Sequence, residues 1–516
     1  MAEKVDKRLI AKNTVFLYIR MFVSMAIGFF TSRITLEYLG VTDYGVYQSV
    51  GGIVGLVSFV NSAITTGISR FITFSIGEGN LEKSRRLFST ILSTQLVFIA
   101  ILVIIAETVG LWFVKHKLVI PEATMSAAVF TYHLSVFTMA LSMLANPFNA
   151  MIVAHEHMKI YAYISLAQSF SILGAAYLLT VTPTGRLYLY SSLLFLITVC
   201  ALAYQIYYSQ KHFKETSFKP IFDRMIVREV AGFSGWSLIA ALSMALNNQG
   251  ILVLLNMFFT PAVVAARAVS LTVNGSVNSL VGNFRAAMNP QIVKQYAAGN
   301  YDVSKNLLLN STKFSFFLLL ILVVPVFYMA DPLLEIWLKE VPEYSGIFLK
   351  LVIIQSLFQI FDTSFYMALY AKGQLRENAL ISPVMGLMCF PIVYILFKNG
   401  ASPVALSWVF LVFYGILGVI VKPILIIQIV NYKWSEIFPV LMICLTTSLL
   451  SFASGYFITK ATYTPTFWGF LLTSFLSFSA SVIIVFFVGL NKNLRSMLIT
   501  KILSFFKKNK AIGLIS

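Results

Sequence analysis

The chain has 516 residues, is 58% hydrophobic and is only 11% charged, against roughly 25% charged in soluble domains. That composition excludes a soluble globular protein and reads as a polytopic membrane protein. The net charge of +18 raises nucleic acid as a partner, but the placement of the charge along the chain assigns it to the membrane surface instead.

The N-terminal stretch MAEKVDKRLIAKN is basic and has no small-residue cleavage site after the first apolar run. The first span is therefore expected to be retained, not cleaved as a signal peptide. A span needs about 20 mostly apolar residues, and about fourteen segments qualify. They are 14–36, 46–69, 88–111, 125–151, 160–181, 187–209, 230–256, 262–286, 307–330, 345–370, 377–398, 402–425, 436–459 and 466–489. Each is expected to be a helix, because lipid cannot satisfy exposed backbone groups. Pro147, Pro325 and Pro383 predict kinks inside spans.

An even number of spans puts both termini on one side. With that side in the cytoplasm, 26 of the 38 Lys and Arg lie there and 7 opposite (Arg33, Lys115, Lys117, Arg186, Lys339, Lys398 and Lys460), Arg20, Arg267, Arg285, Lys313 and Lys350 being within or at the edges of spans. This is the positive-inside asymmetry. The basic tail KNLRSMLITKILSFFKKNK reads as an anchor for anionic headgroups. Cys200, Cys389 and Cys444 all lie in apolar spans, which is neither a disulfide framework nor a metal cluster. The HEH of residues 155–157 lacks the i, i+4 spacing of a helical zinc motif and is expected to be a cytoplasmic turn.

Residues 77–86, GEGNLEKSRR, and 297–306, AAGNYDVSKN, align without gaps at an offset of 220: Gly79 with Gly299, Asn80 with Asn300, Glu82 with Asp302, Ser84 with Ser304, Arg85 with Lys305. Gly suits a left-handed helix end, Asn caps the next helix, and the acid meets the positive end of the dipole. Each copy is expected to be a tight elbow, between spans 2 and 3 and between spans 8 and 9. The expected organisation is an N-lobe of six spans and a basic cytoplasmic loop (1–229), a C-lobe of six spans (230–432), and two further spans with the tail (433–516). Two six-helix lobes in one orientation imply a pseudo-two-fold axis along the membrane normal, with a site between them.

Ionisable groups inside spans are costly and default to functional hypotheses. In span 8, Arg267, Asn274, Asn278 and Arg285 fall within about 40° of one another over about 27 Å of rise, a polar stripe expected to line a water-filled cavity. The alternative is that both Arg reach opposite surfaces while the Asn pair bonds a neighbouring helix. In span 1, Arg20, Ser24 and Thr31 share a face, while Arg33 and Glu37 are spaced to pair with each other. In span 7, Asn247, Asn248 and Gln249 point either to a locally broken helix lining a cavity or to interhelical hydrogen bonds. Asp362 in span 10 is a lone acid, either a proton or cation site for coupling or a counter-ion to Arg267 or Arg20. Arg in a membrane cavity offers a bidentate fork to a diphosphate, and amides and hydroxyls suit sugars. No Gly-rich phosphate loop, nucleophile constellation or metal signature is present, which argues against an enzyme and against an ATP-driven pump.

The segments KNTVFLYIRMFVSMAIGFFTSRITLEYLGVTDYGVYQSVGGIVGLVSF, SRFITFSIGEGN, AHEHMKIYAYISL, FFTPAVVAARAV and MALYAKGQLRENALISP resemble the polysaccharide transporter (Wzx-type flippase) branch of the multidrug/oligosaccharidyl-lipid/polysaccharide exporter superfamily. LGVTDYGVY and AHEHMKIYAY are the most specific parts, and the likeness runs over most of residues 8–430. The resemblance implies two six-helix lobes around a cationic cavity and alternating-access translocation of undecaprenyl-diphosphate-linked oligosaccharide across the bacterial cytoplasmic membrane. It implies membrane lipids, and a polysaccharide polymerase and glycosyltransferases, as partners. It also implies headgroup roles for arginines of spans 1 and 8, which Arg20 and Arg267 match by span and not by a shared short motif. No cofactor is implied, and coupling to H+ or Na+ is left open. A drug/cation antiporter of this fold would want an acid-rich cavity. A membrane O-antigen polymerase or ligase would want a large outward loop with Arg and His, whereas the largest one here is roughly 331–344.

Overall fold

Every described element is a helix or a turn, and no strand occurs among the described residues, as a hydrocarbon solvent requires. The computed structural model describes residues 7–57, 80–155, 157–228, 245–374 and 376–492, with isolated positions between 61 and 76, at 242 and between 495 and 500.

Helix α1 (Lys7–Val57) carries the first expected span and the start of the second, broken at Gly40 with φ 79° and ψ 165°. A side chain at that backbone conformation would be strained, so the glycine in YLGVT is what joins the two segments. There follow α2 (Leu81–Lys117), α3 (Glu122–Ala154), α4 (Met158–Leu178) and α5 (Arg186–His212). The first half of span 7 lies outside the described residues; its second half is a π-helical turn, Leu246–Gly250, leading into α6 (Ile251–Phe258). Then come α7 (Pro261–Ala297), α8 (Tyr301–Tyr328), the short α9 (Ala330–Trp337), α10 (Ser345–Lys372), α11 (Arg376–Lys398), α12 (Ala405–Val430), α13 (Trp434–Thr462) and α14 (Phe467–Gly489). Among the described residues nine helices are long and apolar enough to cross a membrane. They fall on expected spans 3, 4, 6 and 9–14, so the chain is an all-α polytopic membrane protein. Helices α3, α8 and α11 run on through Pro147, Pro325 and Pro383.

The chain packs as two compact units. One takes in residues up to Thr272 with Leu338–Ser345 and Ile381–Ala405, the other Val273–Trp337, Gly346–Leu380 and the residues from Leu406 on. In the first unit an apolar core gathers Phe88, Ile91, Phe148, Met151, Ile152 and Phe213. There the second half of α1 lies close against α6 and the residues flanking it. A Cβ added at Gly45 would stand 1.9 Å from the Pro261 carbonyl oxygen, and one at Gly55 would stand 2.8 Å from Gln249 Cγ. Backbone blocks the first position, so Gly45→Ala is expected to cost about 1–3 kcal/mol, the usual penalty of overpacking. A lowered aggregation temperature of the detergent-solubilised protein would register it; an unchanged one would mean the two helices separate freely.

The elbows are built alike where both are described. Gly299 adopts φ 80°, and Asn80 Oδ1 accepts the Lys83 amide at 3.0 Å. Ser84 Oγ donates back to the Ser75 carbonyl at 3.1 Å, and Ser304 Oγ to the Ile292 carbonyl at 2.8 Å. Arg85 donates to the Lys214 carbonyl, and Lys305 meets Glu436 at 2.7 Å. One expectation is corrected. Asn300 sits at the cap position but makes no side-chain cap; its amide donates instead to Gln295 Oε1 at 2.9 Å. Gly79 lies outside the described residues.

Candidate functional site

The sequence-derived polar groups divide between the two units. In the second unit, Asn274 Oδ1 accepts from Ser356 Oγ at 2.7 Å and from Asn278 Nδ2 at 3.0 Å, and Asn278 also donates to Ser356 Oγ at 3.1 Å. About two turns further along α7, Arg285 donates to Thr363 Oγ1. Three of the four stripe residues therefore bond α10; the Asn pair does so as the interhelical alternative expects, and Arg285 does so in addition. Arg267 belongs to the first unit and is only 1% exposed, so it does not reach a surface.

Asp362 has a partner the sequence did not suggest. Its Oδ1 lies 2.9 Å from Lys422 Nζ, and the Lys422 side chain is 2% exposed. From the sequence Lys422 falls near the edge of span 12, among the cytoplasmic cations; in the structure it is the counter-ion of Asp362, the role that one of the two sequence alternatives gives to Arg267 or Arg20. Arg285 is close enough to interact electrostatically with the same carboxylate. The ammonium also stands 5.6 Å from the Tyr366 ring centre, a cation–π distance. Local sequence explains the approach. A Cβ at Gly418 would lie 2.5 Å from the Phe358 carbonyl oxygen. Gly418 and Phe358 are each four residues before Lys422 and Asp362, one turn along α12 and α10. A π-helical turn, Leu417–Val421, immediately precedes Lys422, and such turns are frequent at functional sites.

In the first unit, Ser24 Oγ lies 3.3 Å from Ser169 Oγ, tying α1 to α4. The Thr31 hydroxyl is buried with no hydrogen-bond partner among the described residues. Arg20 lies on α1, but its side chain and that of Asn248 are outside the described part. Glu37 pairs with Lys339 and not with Arg33 as its spacing predicts; donating a hydrogen bond to the Glu37 carboxylate holds Lys339 above the usual lysine range. The LNNQG run is the π-helical turn Leu246–Gly250, so the helix is locally widened there. Gln249 packs on Gly55 of α1, and Asn247 is half-buried. His155 stacks on Phe213 with ring centres 4.3 Å apart, and His157 Nδ1 lies 2.7 Å from the Tyr208 hydroxyl. Burial, then the neighbouring His155 and His212, lower the His157 pKa, which favours the neutral ring.

A second intramembrane pair went unread in the sequence. Glu107 Oε2 lies 2.7 Å from His133 Nδ1, between α2 and α3. Glu107 sits in the π-helical turn Ala106–Gly110, where the Tyr132 hydroxyl donates to the Ala106 carbonyl at 2.7 Å. The signal was available: both residues are ionisable and lie inside expected spans 3 and 4.

These features define a helical membrane protein whose fold is shared with flippases and transporters of known structure. Lipid II flippase MurJ in its inward closed conformation aligns at a TM-score of 0.69 and 12% identity, over 91% of this chain and 98% of that one. An inward-facing multidrug resistance MATE family transporter of the MOP superfamily aligns at 0.62 and 13% identity, over 80% and 96%. An outward-facing multidrug resistance MATE family transporter of the MOP superfamily aligns at 0.58 and 15%, over 83% and 100%. No protein-family model matches the chain, and no curated protein matches it.

Proposed function

We propose that the chain is a flippase, not an enzyme, that carries undecaprenyl-diphosphate-linked oligosaccharide from the inner to the outer leaflet of the bacterial cytoplasmic membrane by alternating access. The glycan is the repeat unit of an O-antigen, capsule or exopolysaccharide, and both termini face the cytoplasm. The observation that carries this reading is the sign of the charge held at the candidate site. In the second unit Lys422 is 1% exposed and Arg285 is half-buried, with Asp362 already neutralising Lys422; in the first unit Arg267 is 1% exposed. An excess of cations in low dielectric favours an anionic ligand, and guanidinium forks match phosphate oxygens. A drug/cation antiporter would need the opposite balance.

Two further observations support the reading. The fold is that of a lipid II flippase. In the second unit an apolar cavity of about 410 Å³ is lined by Phe316, Phe358, Phe438, Leu441 and Leu445 among others, which suits a hydrocarbon tail while the headgroup moves. Asp362, with Lys422 as its internal counter-ion, is the proposed locus for coupling to H+ or Na+. A polymerase and glycosyltransferases would be the functional partners. Deleting the gene tests the proposal. Full-length lipid-linked repeat units are expected to accumulate on the cytoplasmic leaflet; an unchanged leaflet distribution with altered polymer length would replace the flippase by a polymerase or ligase.

A further inference from the structure

We infer that the first unit carries a separate pocket for an uncharged, polyhydroxylated group, a sugar ring of the lipid-linked glycan; this rests on the functional reading above. A cavity of about 350 Å³ opens among α1, α3 and α5, within the roughly 300–1,000 Å³ of small-molecule sites. Its polar lining is Tyr47, Asn61, Ser135, Thr138, Ser142 and Ser191, and among the described residues no Asp, Glu, Lys, Arg or His borders it. A diphosphate has no counter-charge there; a ring of hydroxyls has donors, acceptors and an aromatic face.

The hydroxyls are set to face outward from their helix. Ser135, Thr138 and Ser142 are spaced i, i+3, i+7 on one face of α3. A Ser or Thr within a helix commonly returns its hydroxyl to the carbonyl four residues back, as Ser49 does to Gly45 at 2.8 Å and Ser191 to Leu187 at 2.7 Å. Among the described residues none of these three makes a hydrogen bond within the protein, so all three are available to a ligand. Gly51 completes the argument. Gly45, Gly52 and Gly55 on the same helix lie against Pro261 or Gln249, but a Cβ at Gly51 meets nothing within 4 Å. Glycine weakens a helix relative to alanine, and no close helix contact requires it at Gly51. What its bare backbone does is leave the cavity open.

The test measures binding to the full-length protein in nanodiscs with two probes: lipid-linked oligosaccharide extracted from cells lacking the protein, and undecaprenyl diphosphate without sugar. Gly51→Leu fills the cavity and is expected to weaken the sugar-bearing lipid by about tenfold or more, about 1.4 kcal/mol, with the sugar-free lipid unaffected. The triple variant Ser135→Ala, Thr138→Val, Ser142→Ala removes the hydroxyls at nearly constant volume and should show the same selective loss, even if Gly51→Leu fails to fold. Wild-type affinity for the sugar-bearing lipid in the triple variant, or a parallel loss for both lipids, overturns the pocket. Failure of the wild-type protein to bind either lipid overturns the flippase reading itself.

Discussion

Asp362→Asn is expected to destabilise the protein by about 3–5 kcal/mol, the usual result of removing one member of a buried ion pair. The substitution leaves the Lys422 ammonium, 2% exposed, without its carboxylate in a low-dielectric layer. Lys422→Met should cost less, because Arg285 remains near enough to compensate Asp362. The double variant Asp362→Leu, Lys422→Met should recover most of the loss, since apolar residues of similar size can replace a buried pair at little cost. Thermal melting of the four detergent-solubilised proteins reads these differences directly. The double variant also separates stability from function: if the pair couples ion movement to transport, the restored protein still fails to place polysaccharide at the surface. A wild-type melting curve for Asp362→Asn would show that Lys422 is held by something other than this carboxylate.

That pair also marks where sequence reading stops. Hydropathy located the nine spans that the described helices match, because each needs about 20 apolar residues and no neighbour changes that requirement. The Gly-Asn elbows were legible for the same local reason: Gly299 takes a positive φ that its residue type favours. Pairings across the bundle were not legible. The i, i+4 spacing of Arg33 and Glu37 predicts a bond that Lys339, some 300 residues away in sequence, takes instead. Asp362 and Lys422 are 60 residues apart, and nothing in either helix's periodicity names the other. Asn300 sits at the cap position without capping, and its Nδ2 donates to Gln295 instead, a choice no capping rule anticipates. Helical arithmetic puts the polar residues of α7 on one face, and Asn274, Asn278 and Arg285 bond α10. Whether that face met water or Ser356 depended on α10, which the arithmetic does not contain.

Arg267→Ala is expected to abolish surface polysaccharide with expression unchanged, and Arg267→Lys to leave a partial defect. The argument begins with burial. A guanidinium that is 1% exposed has given up most of its hydration, a cost that persists in a fold only when the group is compensated or used. Lysine keeps the charge but presents three donors on a point cation where arginine presents a planar fork, so the two substitutions separate charge from geometry. If Arg267 grips a diphosphate, the Lys variant should bind undecaprenyl diphosphate in nanodiscs about tenfold more weakly, and the Ala variant weaker still. A residue that only held α7 in place would instead lower the melting temperature while leaving the affinity of the folded fraction intact. Wild-type polysaccharide in the Ala variant would remove Arg267 from the transport path.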